Sequence, residues 1–414
     1  KRILNAILII SSPKKNNKTL NYFQECRSAY HSGMYFMERG NREESKKLLI
    51  KALKLAKKNH FTTLSYNIAI ELRTHASINR EKSAYRKYKL LAKTLQADML
   101  AENEAQERYY EMAFIQNKSH KVRTNTLKQF VATLQQYDCT TPDFVKYYYS
   151  IRTILNWDIC DHLTIKRDCS MALKILKNKK GVYNSTLQFF ARNQALAHTA
   201  LREYVQAQAL LVDAEKYAPP RSRNLGILRH YQAIVALHSS DYQQAYQLYR
   251  QHRKSPFKEL REQWDIMSAY LYFLKKTGHI NTGKDRFSIG KYLNETAAVA
   301  RSSQGDKTNI LIGELLVYLV DKRSQFIERM EATHQFSYKA LKNSAVRRSR
   351  WLLRILCSLP RFHFKIDRAL QHHSNLLAQL KEQPIQIGGG QTTEFIPFEQ
   401  LLSILAQDLQ HQVA

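Results

Sequence analysis

The chain is poor in the residues that punctuate turns. It has 12 glycines and 8 prolines in 414 residues, too few for a turn-rich all-β fold. Cysteine is scarce and odd in number. Cys26, Cys139, Cys160, Cys169 and Cys357 show irregular spacing and no CxxC, which excludes an evident disulfide framework and suits thiols buried as small apolar side chains in a reducing compartment. Long apolar runs are missing too. The most apolar segment, ILIGELLVYLV from Ile310, is too short to span a bilayer and contains Glu314, so it reads as a buried core helix. Acidic residues are outnumbered, with 35 Asp and Glu against 65 Lys and Arg and a formal net charge of +30. That excess points toward an acidic partner such as nucleic acid, an anionic membrane or an acidic protein, and it equally fits solvated helix faces.

The motifs of chemistry are missing as well. No HExxH, GxSxG or phosphate-loop pattern occurs, and Gly388-Gly389-Gly390 lacks a following lysine–serine pair and reads as a linker. The 15 histidines are scattered. His372 and His373 are adjacent, but consecutive helical residues point about 100° apart and do not readily chelate one ion. Asp161, between Cys160 and His162, reads as a helix cap. No nucleophile–base pair stands out. These absences point to a protein that is not an enzyme, with no cofactor and no metal site.

What is present is helix. Long stretches of Leu, Ala, Lys, Gln and Glu favour it, and 24 tyrosines suit helix pairs packed around aromatic wedges. The first pair covers residues 21–59. Gly33 falls where its first helix must approach a neighbour closely, Gly40-Asn41 makes the turn, and Leu48, Leu49, Ala52, Leu53 and Ala56 form an apolar stripe on the second helix. A second pair lies in TTLSYNIAIELRTHA and REKSAYRKYKLLAKTLQ, a third in AENEAQERYYEMAFIQ and KVRTNTLKQFVATLQQY. Thr141 as cap and Pro142 in the first turn open the fourth pair, and Lys179-Lys180-Gly181 closes it. The fifth and sixth surround Ala207 and Ala245, which stand about 38 residues apart, a longer step than the usual 34. The pattern changes near Gly278. The opening KRILNAILII, basic and then apolar, lacks a small-residue cleavage site and reads as the back of a truncated helix. The expected organisation is therefore residues 1–20 as the end of that helix and a linker, 21–278 as repeats, and 279–414 as a C-terminal helical cap. IQI and EFI suggest a short hairpin before a terminal helix opened by Pro397, with Glu399 near its positive end.

These residues resemble tetratricopeptide repeats. Gly33, Gly40 and Ala52 carry the likeness in the first pair, Tyr204, Ala207, Ala214 and Pro219 in the fifth, and Asp241, Tyr242 and Ala245 in the sixth. The later segments FSIGKYLNE, ILIGELLVYLV, SLPRFHF and EFIPFEQLL are similar to a family of uncharacterised bacterial helical-repeat proteins, where such segments look like a fixed cap. IQIGGGQTT departs from that pattern. The resemblance implies an all-α right-handed superhelical solenoid of antiparallel helix pairs with a distinct C-terminal helical cap. It also implies a non-catalytic protein- or peptide-binding scaffold of the bacterial cytoplasm.

In tetratricopeptide arrays the first helices of successive pairs line a concave groove. That places Phe189, Arg192, Asn193, Leu196 and Thr199 on the groove in the fifth pair and Ile227, His230, Tyr231 and Ile234 in the sixth. Asn193 stands at one position of the lysine–asparagine clamp with which some members grip a terminal carboxylate. Ile227 and Tyr231 replace the basic pair the clamp needs, and Tyr30 and Met34 stand where the first pair would supply it, so no carboxylate clamp is expected. A partner would instead bury apolar side chains against Leu196, Tyr231 and Ile234. The alternative is a polyanion surface within the stretch Lys46–Lys93. Lys46, Lys47, Arg86, Lys87 and Lys89 would hold phosphates while Tyr85 or Tyr88 stacks on a base. Tyr85 and Tyr88 also share a helical face with Ala92 and Leu95, so core packing competes for them. A second basic cluster gathers Arg347, Arg348, Arg350, Arg354 and Arg361.

Overall fold

The computed structural model describes residues 18–411 apart from 117, 284–286, 303, 322, 341–346 and 388–393. The opening segment and the Gly388–Gly390 linker fall outside these residues. Among the described residues there is no strand, and the helices are α1 Lys18–Glu38, α2 Arg42–Lys58, α3 Thr62–Ile78, α4 Lys82–Ile115, α5 His120–Leu134, α6 Pro142–Asp158, α7 His162–Lys177, α8 Asn184–Ala200, α9 Tyr204–Ala214, α10 Arg223–His238, α11 Tyr242–His252, α12 Lys258–Lys276, α13 Ile289–Ser302, α14 Gln304–Asp321, α15 Arg323–Ala340, α16 Arg347–Ser358, α17 Ile366–His372, α18 Ser374–Glu382 and α19 Phe398–His411. The chain is all-α, and consecutive helices pack on one another. Contacts divide it into two compact units, residues 1–152 with 171–187, and residues 153–170 with 188–414.

One turn recurs. Helices α1, α2, α3, α6, α8, α10 and α12 each end on a residue in the left-handed region: Gly40, His60, Arg80, Cys160, Arg202, Ser240 and Gly278, with φ between 56° and 77°. The next N–H then reaches back five residues, as from Asn41 to Phe36 at 3.0 Å, Glu81 to Ala76 at 2.8 Å, Glu203 to His198 at 2.8 Å and Asp241 to Ala236 at 2.9 Å. This closure satisfies a helix-end carbonyl that would otherwise lack a partner and reverses the chain within a few residues. The residue after the turn caps the next helix or reaches back to the previous pair. Asn41, Asp161 and Asp241 accept the N–H of Glu44, Thr164 and Gln244. Glu81 instead binds Lys46 at 2.7 Å and Glu203 binds Lys166 at 2.7 Å. Lys46 and Lys166 are each the fifth residue of their helix, so the same tie appears once in each unit.

Small residues set the packing distance. Ala52, Ala207, Ala214 and Ala245 are fully buried. A Cβ at Gly33 would lie 2.9 Å from Leu49 Cγ, which explains the close approach of α1 to α2. In the first unit Cys26, Leu49, Leu53, Ile68, Leu72 and Tyr88 form one apolar cluster. In the second, Ile310–Leu319 of α14 is buried as expected, around Glu314, which pairs with Arg329 at 3.1 Å.

Three expectations are corrected. The boundary between the second and third pairs does not exist, because α4 runs unbroken for 34 residues. No Gly or Pro lies between Thr94 and Ala105, so nothing stops the helix. Among the described residues of the expected hairpin, no strand forms and one backbone bond joins its arms, Glu394 N–H to Gln386 O at 2.8 Å. The reciprocal donor, Gln386 N–H, goes to the Glu394 carboxylate at 3.0 Å instead of to a backbone carbonyl. The third correction concerns Arg348, which is buried rather than part of a basic surface cluster.

The left-handed turns give a direct test. Arg80 is exposed at φ 56°, a conformation that costs a residue with a Cβ about 1–2 kcal/mol. Arg80→Gly should raise stability by about 0.5–1 kcal/mol after the entropy cost of glycine, and Arg80→Val should lower it. Chemical denaturation of the two variants beside the parent measures both.

Candidate functional site

The groove residues expected on α8 and α10 fall into two groups. Leu196 and Ile234 are 2% and 0% exposed and belong to the core. Asn193 is engaged at both ends, accepting from Trp157 Nε1 at 2.9 Å and donating to Phe189 O at 2.8 Å. His230 is buried, edge-on to Trp264 at 5.0 Å and to Phe395 at 6.2 Å. These four face the interior of the second unit and present nothing to a partner in this structure. Phe189, Arg192 and Tyr231 stay partly exposed. The Arg192 guanidinium lies 5.7 Å from the Phe189 ring and 5.9 Å from the Tyr231 ring, an aromatic–cation stack at the remaining open part of the face.

The chain's own C-terminal segment covers the rest. Phe395 packs on Tyr270 at 5.1 Å as well as on His230. His238 Nε2 donates to the Glu394 carbonyl at 2.6 Å, and Gln400 Nε2 donates to the Tyr242 hydroxyl at 2.6 Å. Arg348 anchors the segment. It donates to both Glu394 oxygens at 2.6 and 2.9 Å, to Glu399 at 2.7 Å and to the carbonyls of Leu380 and Gln383. Burial pulls the guanidinium down, and Glu394 and Glu399 more than reverse this, holding it above its ordinary value. Glu399 also takes Arg202. Sequence reasoning saw Arg348 only as one arginine among several, since its partners lie 46 and 51 positions away.

The expected basic surface also divides. Lys46 is tied to Glu81 and Lys47 lies 3.5 Å from Glu44. Lys87 Nζ sits over the ring of buried Tyr88 at 5.7 Å. Arg86 and Lys89 instead join Arg73 and Lys93 around a concavity of about 500 Å³ between α3 and α4, floored by Tyr66, Ile70, Leu90 and Ala92. Arg73 was not anticipated. It falls on the α3 face of Tyr66 and Ile70 at helical spacing, a signal that becomes readable once α3 and α4 are known to pair.

Chemistry-bearing groups are subdued elsewhere. Burial pushes the thiols of Cys26, Cys169 and Cys357 up to about 11, 12 and 12, and those of Cys139 and Cys160 upward as well. All five are thiols at neutral pH, and none is a ready nucleophile. Asp161 acts as a cap. Among the described residues no group of three His, Cys, Asp or Glu side chains could hold a metal ion, and no helix is long and apolar enough to cross a membrane. A cavity of about 620 Å³ beside α12 and α13 mixes cations with Glu262, Asp265 and Glu295. Burial and Glu295 raise the Asp265 carboxyl to about 6. No family model matches the chain, nor does any curated protein or solved structure.

Two tests follow from the buried groups. Removing Arg348 leaves Glu394 buried without its partner, so Arg348→Met should cost about 3–5 kcal/mol, and Glu394→Gln in the same chain should recover part of that in a double-mutant cycle. Burial also pushes His162, His230 and His238 down to about 4, against about 6.5 in an unfolded chain. The unfolded state takes up protons first, so these histidines contribute their full stability above about pH 6.5 and lose it as pH falls toward 4. Denaturation midpoints should drop between about pH 7 and about pH 5, and His230→Phe should flatten that slope.

Proposed function

We propose that the chain is a non-catalytic protein- or peptide-binding scaffold, built as a tetratricopeptide-like right-handed solenoid of antiparallel helix pairs without a carboxylate clamp, its C-terminal region serving as a cap. The observation that carries this reading is the recurrence of one turn. Arg202, Ser240 and Gly278 stand 38 residues apart in the same left-handed conformation, and Gly40 and Arg80 repeat it 40 apart. Units closed the same way stack their apolar faces and present side chains in register, the property on which repeat scaffolds depend. Five free thiols, four of them buried, suit a reducing compartment such as the cytoplasm.

The binding face in this reading is what the C-terminal segment leaves open, the stack of Phe189, Arg192 and Tyr231. The buried seat of Phe395 between His230 and Tyr270 supports the ability of α10 and α12 to receive a non-helical segment, since the chain itself supplies one there. A partner would place an aromatic or acidic side chain against the Arg192 stack. The nucleic-acid alternative is less favoured, because Lys46 and Lys47 have carboxylate partners and Lys87 rests on Tyr88.

Capture of partners from the native cell by the parent chain, compared with an Arg192→Glu, Tyr231→Ala variant of equal helicity, tests the reading. At least one protein should be retained by the parent and lost by the variant. Capture of no protein above background, or equal capture by both chains, would overturn it.

A further inference from the structure

Among the described residues, the concavity between α3 and α4 is lined by those two helices and covered by no other. In the first unit the α1–α2 pair is covered by α3 and α4: Ile68, Leu72 and Tyr88 complete the cluster of Cys26, Leu49, Ala52, Leu53 and Ala56. A second, smaller cluster between α3 and α4 buries Ala69, Ala92 and Leu95, with Tyr66, Ile70 and Leu91 partly covered. Helix α4 continues to Ile115 instead of turning, and it buries Ala101, Ala105, Met112 and Ile115 along its later half. There Tyr109 meets Tyr147 of α6 at 5.2 Å. The first half of α4 leaves Leu90 68% accessible beside the concavity.

The charge around this face is one-sided. Arg73, Arg86, Lys89 and Lys93 line it together with Gln96, and no acid does. None of the four cations has an ion pair or side-chain hydrogen bond among the described residues. Lys46, Lys47 and Arg108 of the same unit do have carboxylate partners; what sets the four apart is that they surround one apolar concavity. An apolar floor between two helices, rimmed by four cations without counter-charge, is complementary to a helix carrying an apolar stripe flanked by Asp and Glu.

We infer that the α3–α4 face binds an acidic amphipathic helix supplied by a partner protein, which covers the concavity. The stripe of that helix lies on Tyr66, Ile70 and Leu90, and its carboxylates meet Arg73, Arg86, Lys89 and Lys93. The floor argues for a helix over single-stranded nucleic acid. It offers one ring, Tyr66, beside aliphatic side chains, whereas a nucleic-acid track needs successive stacking rings. Tyr85 is not part of the lining and Tyr88 is buried on the other side. This surface is separate from the Arg192 stack, so it stands or falls independently of that reading.

The test uses the full chain and a fluorescent synthetic peptide of Leu and Glu, with Leu at helical spacing, alongside a scrambled peptide of the same composition and an oligothymidine strand. Anisotropy at low salt should show saturable binding of the patterned peptide and at least about tenfold weaker binding of the scrambled one. Leu90→Asp and the pair Arg86→Glu, Lys89→Glu should each weaken the patterned peptide by about tenfold or more, while Lys47→Glu leaves it unchanged. These residues are exposed, and unchanged helicity and melting confirm that each variant folds. Three results would each overturn the inference: no binding of the patterned peptide, equal binding of the scrambled peptide, or tighter binding of oligothymidine lost in the same variants.

Discussion

The left-handed turn that closes α1, α2, α3, α6, α8, α10 and α12 is the constraint on which the rest depends. By placing one residue near φ 60° and returning the next N–H to a carbonyl five back, it fixes the exit direction of the chain and satisfies the helix end at the same time. The second helix then runs back along the first with its small residues inward, and Ala52, Ala207 and Ala245 can reach zero exposure. The residue after the turn is placed just as firmly. It caps its own helix when it is Asn or Asp and reaches the preceding pair when it is Glu, since the longer side chain spans to Lys46 or Lys166.

Two ways of finishing a stack are present in one chain. In the second unit the face of α10 and α12 is closed by the chain itself, through Phe395 and the Arg348–Glu394 pair. Such a pair stabilises little relative to apolar packing, yet it costs heavily if one partner is removed. Its geometric effect is the greater one: Glu394 is held by Arg348, by Gln386 N–H and, at 3.3 Å, by Phe398 N–H, and this sets where Phe395 enters. In the first unit the α3–α4 concavity is lined by those two helices alone, and its four cations have no ion pair among the described residues.

Much of the helical pattern was legible. The apolar stripe on α2, the small positions Ala207 and Ala245, the cap at Asp161 and the buried run from Ile310 all follow from spacing and side-chain chemistry. The repeated turn was harder to read, because only Gly40 and Gly278 mark it with glycine. His60, Arg80, Cys160, Arg202 and Ser240 occupy the same conformation under the compulsion of packing, and they carry no propensity signal. Of the nine residues expected on the groove, Asn193, Leu196, Thr199, His230 and Ile234 lie in the interior. Periodicity identifies the face of a helix but does not say which later segment comes to lie on it.

The sequence by itself determined that the chain is helical, that its helices are paired and where most of them begin, because caps, stripes and propensities act within a few residues. Only tertiary structure decided that Arg348 is buried against Glu394 and Glu399, that Phe395 fills the face of α10 and α12, and that Arg73 joins Arg86, Lys89 and Lys93. Those outcomes turn on side chains brought together from distant positions, where burial and charge pairing decide what is covered, and local pattern carries no record of that choice.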